Sequence, residues 1–138
     1  MIITLYGDPR TKKNSQRPIK IKKKDGKSFT KLLPSTAYEA YEADCLKQIT
    51  GDKKISITRP VNVKCLYYMK TRRVVDLVNL LEATDDILVA AEVLDDDNSR
   101  IVVGHDGSRV LYDKANPRVE VEITEVQHED HQTIIPGL

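Results

Sequence analysis

Tryptophan is absent from this chain and phenylalanine occurs once, at Phe29. Aromatic stacking as a means of recognition therefore has slight support, and Tyr6, Tyr38, Tyr41, Tyr67, Tyr68 and Tyr112 read mainly as core or interface residues. Cysteine is limited to Cys45 and Cys65, one in a helical stretch and one in a strand-like stretch, without the spacing of metal ligands. Buried free thiols in a cytoplasmic protein are the expectation. No apolar run reaches the ~18 residues of a membrane span, and the opening MIITLYGDP lacks a secretory pattern. Histidine is scarce, and none is placed as an essential base: His105 falls in a turn signal, and His128 and His131 lie near the end.

Basic residues are missing where acidic ones gather. Between Arg73 and Arg100 there is no Lys or Arg, while Asp76, Glu82, Asp85, Asp86, Glu92, Asp95, Asp96 and Asp97 all fall within that span. At about 100° per residue, Leu77, Leu80, Leu81, Thr84, Leu88 and Ala91, with Ile87 at the edge, form one helical stripe. Asp76, Asn79, Glu82, Ala83 and Asp86 fall opposite, and Asp85 points elsewhere. One reading is an amphipathic helix with a solvated acidic face. The other is a site for a hard divalent cation, which prefers carboxylate and water oxygens. Unpaired like charges at i,i+4, as at Glu82 and Asp86, favour the second reading. So does the Asp95-Asp96-Asp97 run, which a turn can bring back toward the acidic face.

The net charge of +1 conceals a second asymmetry. From 10 to 31 the chain carries Arg10, Lys12, Lys13, Arg17, Lys20, Lys22, Lys23, Lys24, Lys27 and Lys31 against Asp25 alone. Such a segment is either a solvated loop or an electrostatic footprint for a polyanion, and the imbalance exceeds what solubility requires.

Periodicity and punctuation place the elements. Ile2 to Tyr6 reads as a strand, and 10–29 as a long loop or loose hairpin around Lys24-Asp25-Gly26. Ser35 can cap a helix from about Thr36 to Ile49, with Tyr38, Tyr41, Cys45, Leu46 and Ile49 on one face and Gly51 as the stop. Pro60 to Met69 reads as a strand, followed by the acidic helix. Ile101–Val103 and Arg109–Tyr112 read as a hairpin closed by His105-Asp106-Gly107, since Asp-Gly favours turns. Pro117 to Thr124 alternates like a final, half-exposed strand. The order β-α-β-α-β-β-β implies an α+β (mixed α/β) fold with two main helices against one mixed sheet. A single domain over 1–125 is expected, with a disordered tail over 126–138.

These residues carry a family resemblance. Gly7-Asp8-Pro9, Lys13-Asn14-Ser15, Asp76 to Leu80 as D-x-x-N-L, Asp86, and Asp96-Asp97-Asn98 occur in order and on matching elements. In these the chain resembles the RusA-type Holliday-junction resolvases (crossover junction endodeoxyribonucleases), small dimeric endonucleases of bacteria and their phages. The resemblance spans Met1 to about Ile123. It implies that Asp76 and Asp97 are catalytic metal ligands, with Asp96 and Asp86 as further ligands or their supports. It also implies Mg²⁺, with Mn²⁺ as a substitute, and a homodimer whose two sites match the symmetry of a four-way junction. Contact with branched DNA would fall to Lys12, Lys13, Asn14, Lys22, Lys23, Lys24, Arg72 and Arg73. Arg72 and Arg73 equally suit ion pairing with neighbouring carboxylates.

Two positions depart from the family pattern. Val78 stands where the family has a second acid, and Glu82 stands where it usually has a lysine. Glu82 either restores the lost carboxylate charge or marks a site that has changed. Three functions follow: a Mg²⁺-dependent junction endonuclease, a catalytically impaired branched-DNA-binding protein of the same fold, or a protein-interaction factor with an acidic docking helix.

Overall fold

The computed structural model describes residues 1–12, 17–33 and 36–127. In chain order its elements are β1 (Ile2–Tyr6), β2 (Arg17–Lys22), β3 (Ser28–Leu33), α1 (Thr36–Gln48), β4 (Val61–Met69), α2 (Leu77–Ala90), β5 (Val102–Gly104), β6 (Arg109–Tyr112) and β7 (Arg118–Glu125). A short 3-10 turn, Gly51–Lys53, follows α1. Expectations resting on Lys13, Asn14, Ser15, Ser35, His128, His131 and the final tail lie outside the described residues.

Alternation decides which side of the sheet is buried. In β4, Val61, Val63, Cys65, Tyr67 and Met69 are buried while the residues between them are half-exposed. The same period of two buries Ile3 and Leu5 in β1 and Val119, Val121 and Ile123 in β7. Those side chains meet Tyr38, Tyr41 and Cys45 of α1 and Leu80, Ile87 and Leu88 of α2 in one hydrophobic core. The result is the expected α+β arrangement, two helices on a mixed sheet.

The sheet runs β1-β7-β4, all antiparallel, and β5 and β6 then both pair with β4 in parallel. This corrects the expected β5–β6 hairpin. The two segments do not face each other. They lie end to end on the same edge of β4, with β5 beside Val61 and Asn62 and β6 beside Leu66–Met69. Asp106-Gly107 still makes a turn, with the Ser108 N–H donating to the His105 carbonyl at 3.1 Å. That turn carries a bulge in one interrupted strand and not an antiparallel return.

The basic stretch forms a hairpin of its own, β2 paired with β3, separate from the main sheet. Its turn closes at the Lys24-Asp25-Gly26 signal: Gly26 has φ +85°, and its N–H reaches the Lys23 carbonyl at 3.1 Å.

In α2 the apolar stripe packs inward, but the buried arc is wider than the helical wheel implies. Ala83, on the polar side of the wheel, is buried, and so is Asp85. Thr84 joins the core through its hydroxyl, which lies 2.7 Å from the Tyr67 hydroxyl and donates to the Leu80 carbonyl. Asp76 does not lie on the helix at all. It is the N-cap, in extended conformation, and its Oδ1 accepts the Val78 N–H at 2.9 Å. Among the described residues no helix is long and apolar enough to cross a membrane.

Candidate metal and nucleic-acid site

The acidic residues separate by local role. Asp96 commits both oxygens to its own turn: Oδ1 accepts the Asp97 N–H and Oδ2 accepts the Asn98 amide, each at 2.8 Å. Those donors, the Asn98 amide first, hold its carboxyl below the usual range. Asp96 thus builds the bend that presents Asp97. Asp97 itself is pushed above the usual range, first by partial burial, then by the negative charges of Asp86 and Asp85, and by Asp96. The turn after α2 therefore brings Asp97 into one electrostatic field with the acids of the helix.

Asp86 is held by a cation from the far end of the chain. The Lys12 ammonium donates to its Oδ2 at 2.6 Å, and the same ammonium lies 5.7 Å from the Tyr38 ring centre. Lys12 stands near the start of the basic stretch, so that start is tied to the acidic helix. Asp76 and Glu82 are both exposed, Asp76 at the helix entrance and Glu82 within α2.

Asp85, which the helical wheel points away from the other acids, is central in the fold. It is 6% exposed, and its Oδ2 accepts a hydrogen bond from His105 Nε2 at 2.8 Å. This bond raises the His105 pKa above the ordinary imidazole value, against the opposing effect of burial. The His105 loop is itself pinned. The Asn62 side chain accepts the Asp106 N–H at 2.8 Å and donates to the Asp106 carbonyl at 3.1 Å. The Ser108 hydroxyl accepts the Cys65 N–H at 3.0 Å. Cys65, whose thiol is pushed up to about 12 by burial, is inert as a nucleophile. One signal for the Asp85–His105 pair is present in the sequence: a carboxylate bordering an apolar stripe needs a donor if the stripe is buried. Which donor it finds depends on the bulge between β5 and β6.

The two arginines before α2 are both engaged. Arg73 Nη1 donates to Asp8 Oδ2 at 3.0 Å and Nη2 donates to the Pro9 carbonyl at 2.9 Å. Asp8 also accepts the Lys70 N–H at 3.0 Å and lies 3.4 Å from Arg10. Arg73 therefore clamps the Gly7-Asp8-Pro9 bend, the ion-pairing alternative read from the sequence. Its carboxylate partner, however, comes from the β1 exit and not from the acidic helix. Arg72 stacks on Tyr112 with its guanidinium 4.2 Å from the ring centre. Lys22, Lys23 and Lys24 are exposed at the tip of the hairpin, and Lys23 lies 5.4 Å from the centre of the Phe29 ring.

Among the described residues, no three carboxylate, imidazole or thiol side chains come together as a ready-made ion cage. A magnesium ion asks for less, since it usually keeps several waters and takes one or two carboxylates plus substrate phosphate. Of the acids, Asp86 and Asp97 are electrostatically coupled: the Asp97 carboxyl is raised first by burial and then by the charge of Asp86. Among the described residues, Asp85 Oδ1 is buried without a hydrogen-bond partner. No protein-family model matches this chain, and no curated protein matches it.

Proposed function

We propose that this protein is a Mg²⁺-dependent, structure-specific endonuclease that acts on four-way and related branched DNA. The observation that carries the reading is the Lys12–Asp86 contact of 2.6 Å, which sets a cation from the start of the basic stretch against a carboxylate of the acidic helix. A polyanion would be gripped by Lys20, Lys22, Lys23 and Lys24, which the hairpin exposes. Lysines of this kind grip phosphates without reading sequence.

In this reading Asp97 and Asp86 are the cation ligands, Asp96 shapes the turn that presents Asp97, and Asp76 stands at the helix entrance as its cap. When bound, Mg²⁺ supplies Lewis acidity for phosphodiester hydrolysis and lowers the pKa of its water. The protein's own residues supply the rest. Arg73 holds the Gly7-Asp8-Pro9 bend in place, and Lys12 neutralises Asp86 until phosphate and cation arrive. A homodimer would set two such centres on a two-fold axis, as two symmetric cuts require.

A second reading is favoured by the lack of a three-ligand cage among the described residues. It is a branched-DNA-binding protein that holds junctions without cutting, consistent with Val78 and Glu82 at the departed positions. One assay separates them: a labelled synthetic four-way junction beside a matched duplex, with Mg²⁺, with Mn²⁺ and with chelator. Paired, metal-dependent nicks confined to the junction support the endonuclease. Salt-sensitive binding that persists in chelator, with no nicks in any metal, supports the second reading.

A further inference from the structure

We infer that the outer face of the main sheet is the surface through which two copies of this chain associate, packed face to face about a two-fold axis that runs along the strands between β7 and β4. The inference rests on the homodimer of the reading above and names the face that forms it.

Both helices pack on one side of the sheet, where alternate residues of β1, β4 and β7 enter the core. The residues between them point the other way, and directly paired residues of neighbouring strands share that face. Among the described residues neither helix covers it. Ile2, Tyr6, Val103 and Leu111 stand exposed there, and Leu66 and Tyr68 are half-exposed. Large side chains of this kind gathered on one open face mark an interaction surface.

Its charges favour a protein partner over a polyanion. Arg118 donates to Glu120 at 2.9 Å and to Asp113 at 3.0 Å, and its guanidinium lies 3.9 Å from the centre of the Tyr68 ring. Lys64 lies 3.9 Å from Glu122. Cations already answered by neighbouring carboxylates have little left for phosphate, unlike the exposed lysines of the β2–β3 hairpin. Tyrosine and arginine are favoured at protein interfaces, and an arginine held this firmly loses little freedom on binding.

The partner that fits is a second copy, because the face complements itself. Across β1, β7, β4 and β6 one row reads Tyr6, Arg118, Tyr68, Leu111. Rotation about the axis sets Tyr6 over the partner's Leu111 and Arg118 over the partner's Tyr68. Further down the strands Glu122 pairs with Lys64, and the same rotation sets Glu122 over the partner's Lys64. Shape and charge thus match about one axis, as a two-fold interface requires. Stacked sheets keep their strand directions within about 30° of each other, which this axis allows. The Gly7-Asp8-Pro9 bend and the entrance to α2 then lie at the same end of both protomers, since β1 and β4 run out of the sheet at that end.

The test is sedimentation of the full chain over a micromolar concentration series, in chelator and without DNA, so that its outcome does not depend on cleavage. Wild type should form dimers. Tyr6→Glu, Lys64→Glu and Glu122→Lys should each weaken association ~10-fold or more, the last two by setting like charges opposite each other. These side chains are exposed or half-exposed, so each variant should melt cooperatively and close to wild type. An equimolar mixture of Lys64→Glu and Glu122→Lys should recover the dimer, because each chain then offers the charge that the other lacks. Wild-type association in all three variants, or a mixture as weak as its components, would overturn this face as the interface. A wild type that stays monomeric would overturn the dimer and give the face to another partner; metal-dependent junction nicks by that monomer would leave the endonuclease standing. Dimers as expected, with no nicks in any metal, would remove the endonuclease and keep the surface.

Discussion

Asp76 combines two roles that mutation can separate. Its Oδ1 caps α2 through the Val78 N–H, and asparagine caps helices about as well as aspartate. Asp76→Asn should therefore leave the melting temperature nearly unchanged, whereas Asp76→Ala should cost about 1 kcal/mol. If Asp76 contributes to the cation site, the asparagine variant should also lose junction cleavage while binding the junction as well as wild type or better. Cleavage retained by a folded Asp76→Asn would remove it from the site. His105 supports a pH prediction. Its folded pKa is raised by Asp85, so the stability from this pair is fully present below the unfolded imidazole value of about 6.5. It is lost as pH rises through the folded value. In chelator, wild type should lose melting temperature across that window more steeply than His105→Gln. Parallel profiles would mean the pair contributes nothing to folding.

At the level of elements, α2 and β4 are joined by a buried polar link within the apolar core. Thr84 Oγ1 lies 2.7 Å from the Tyr67 hydroxyl and donates to the Leu80 carbonyl. Thr84→Val keeps the shape but strands the Tyr67 hydroxyl, so a loss of about 1–3 kcal/mol is expected by denaturant unfolding. Tyr67→Phe in the same background should recover part of that loss, because both polar partners are then gone. The β2–β3 hairpin behaves differently. It forms a separate sheet and exposes its lysines, so replacing Lys22, Lys23 and Lys24 with Ala should leave stability unchanged. Binding to branched DNA should become less salt-dependent, the slope falling by about 0.9 for each phosphate that the variant no longer neutralises. An unchanged slope would mean the hairpin tip does not touch the backbone.

For the molecule as a whole, local pattern carries far in some places and fails in others. Period-two alternation locates β4 and β7, and the 3.6-residue stripes locate α1 and α2, because burial imposes those periods on any sequence that folds. The acidic helix, the Asp96–Asp97 bend and the basic arm are all legible as charge along the chain. The partners of those charges are not. Lys12 meets Asp86, Arg73 meets Asp8 and His105 meets Asp85 across 74, 65 and 20 residues of sequence. Periodicity contains no information about such distances. The β5–β6 segments illustrate the same limit: an Asp-Gly turn between two apolar runs has one local reading, a hairpin. Parallel pairing with β4 depends on where α2 returns the chain to the sheet edge. The elements and their charges were thus determined by the sequence itself, through propensity and periodic burial. Which carboxylate would be buried, and which cation would face it, was decided only when the helix settled between the sheet and its neighbours. A buried charge must be answered by whatever group the tertiary fold places within hydrogen-bonding reach.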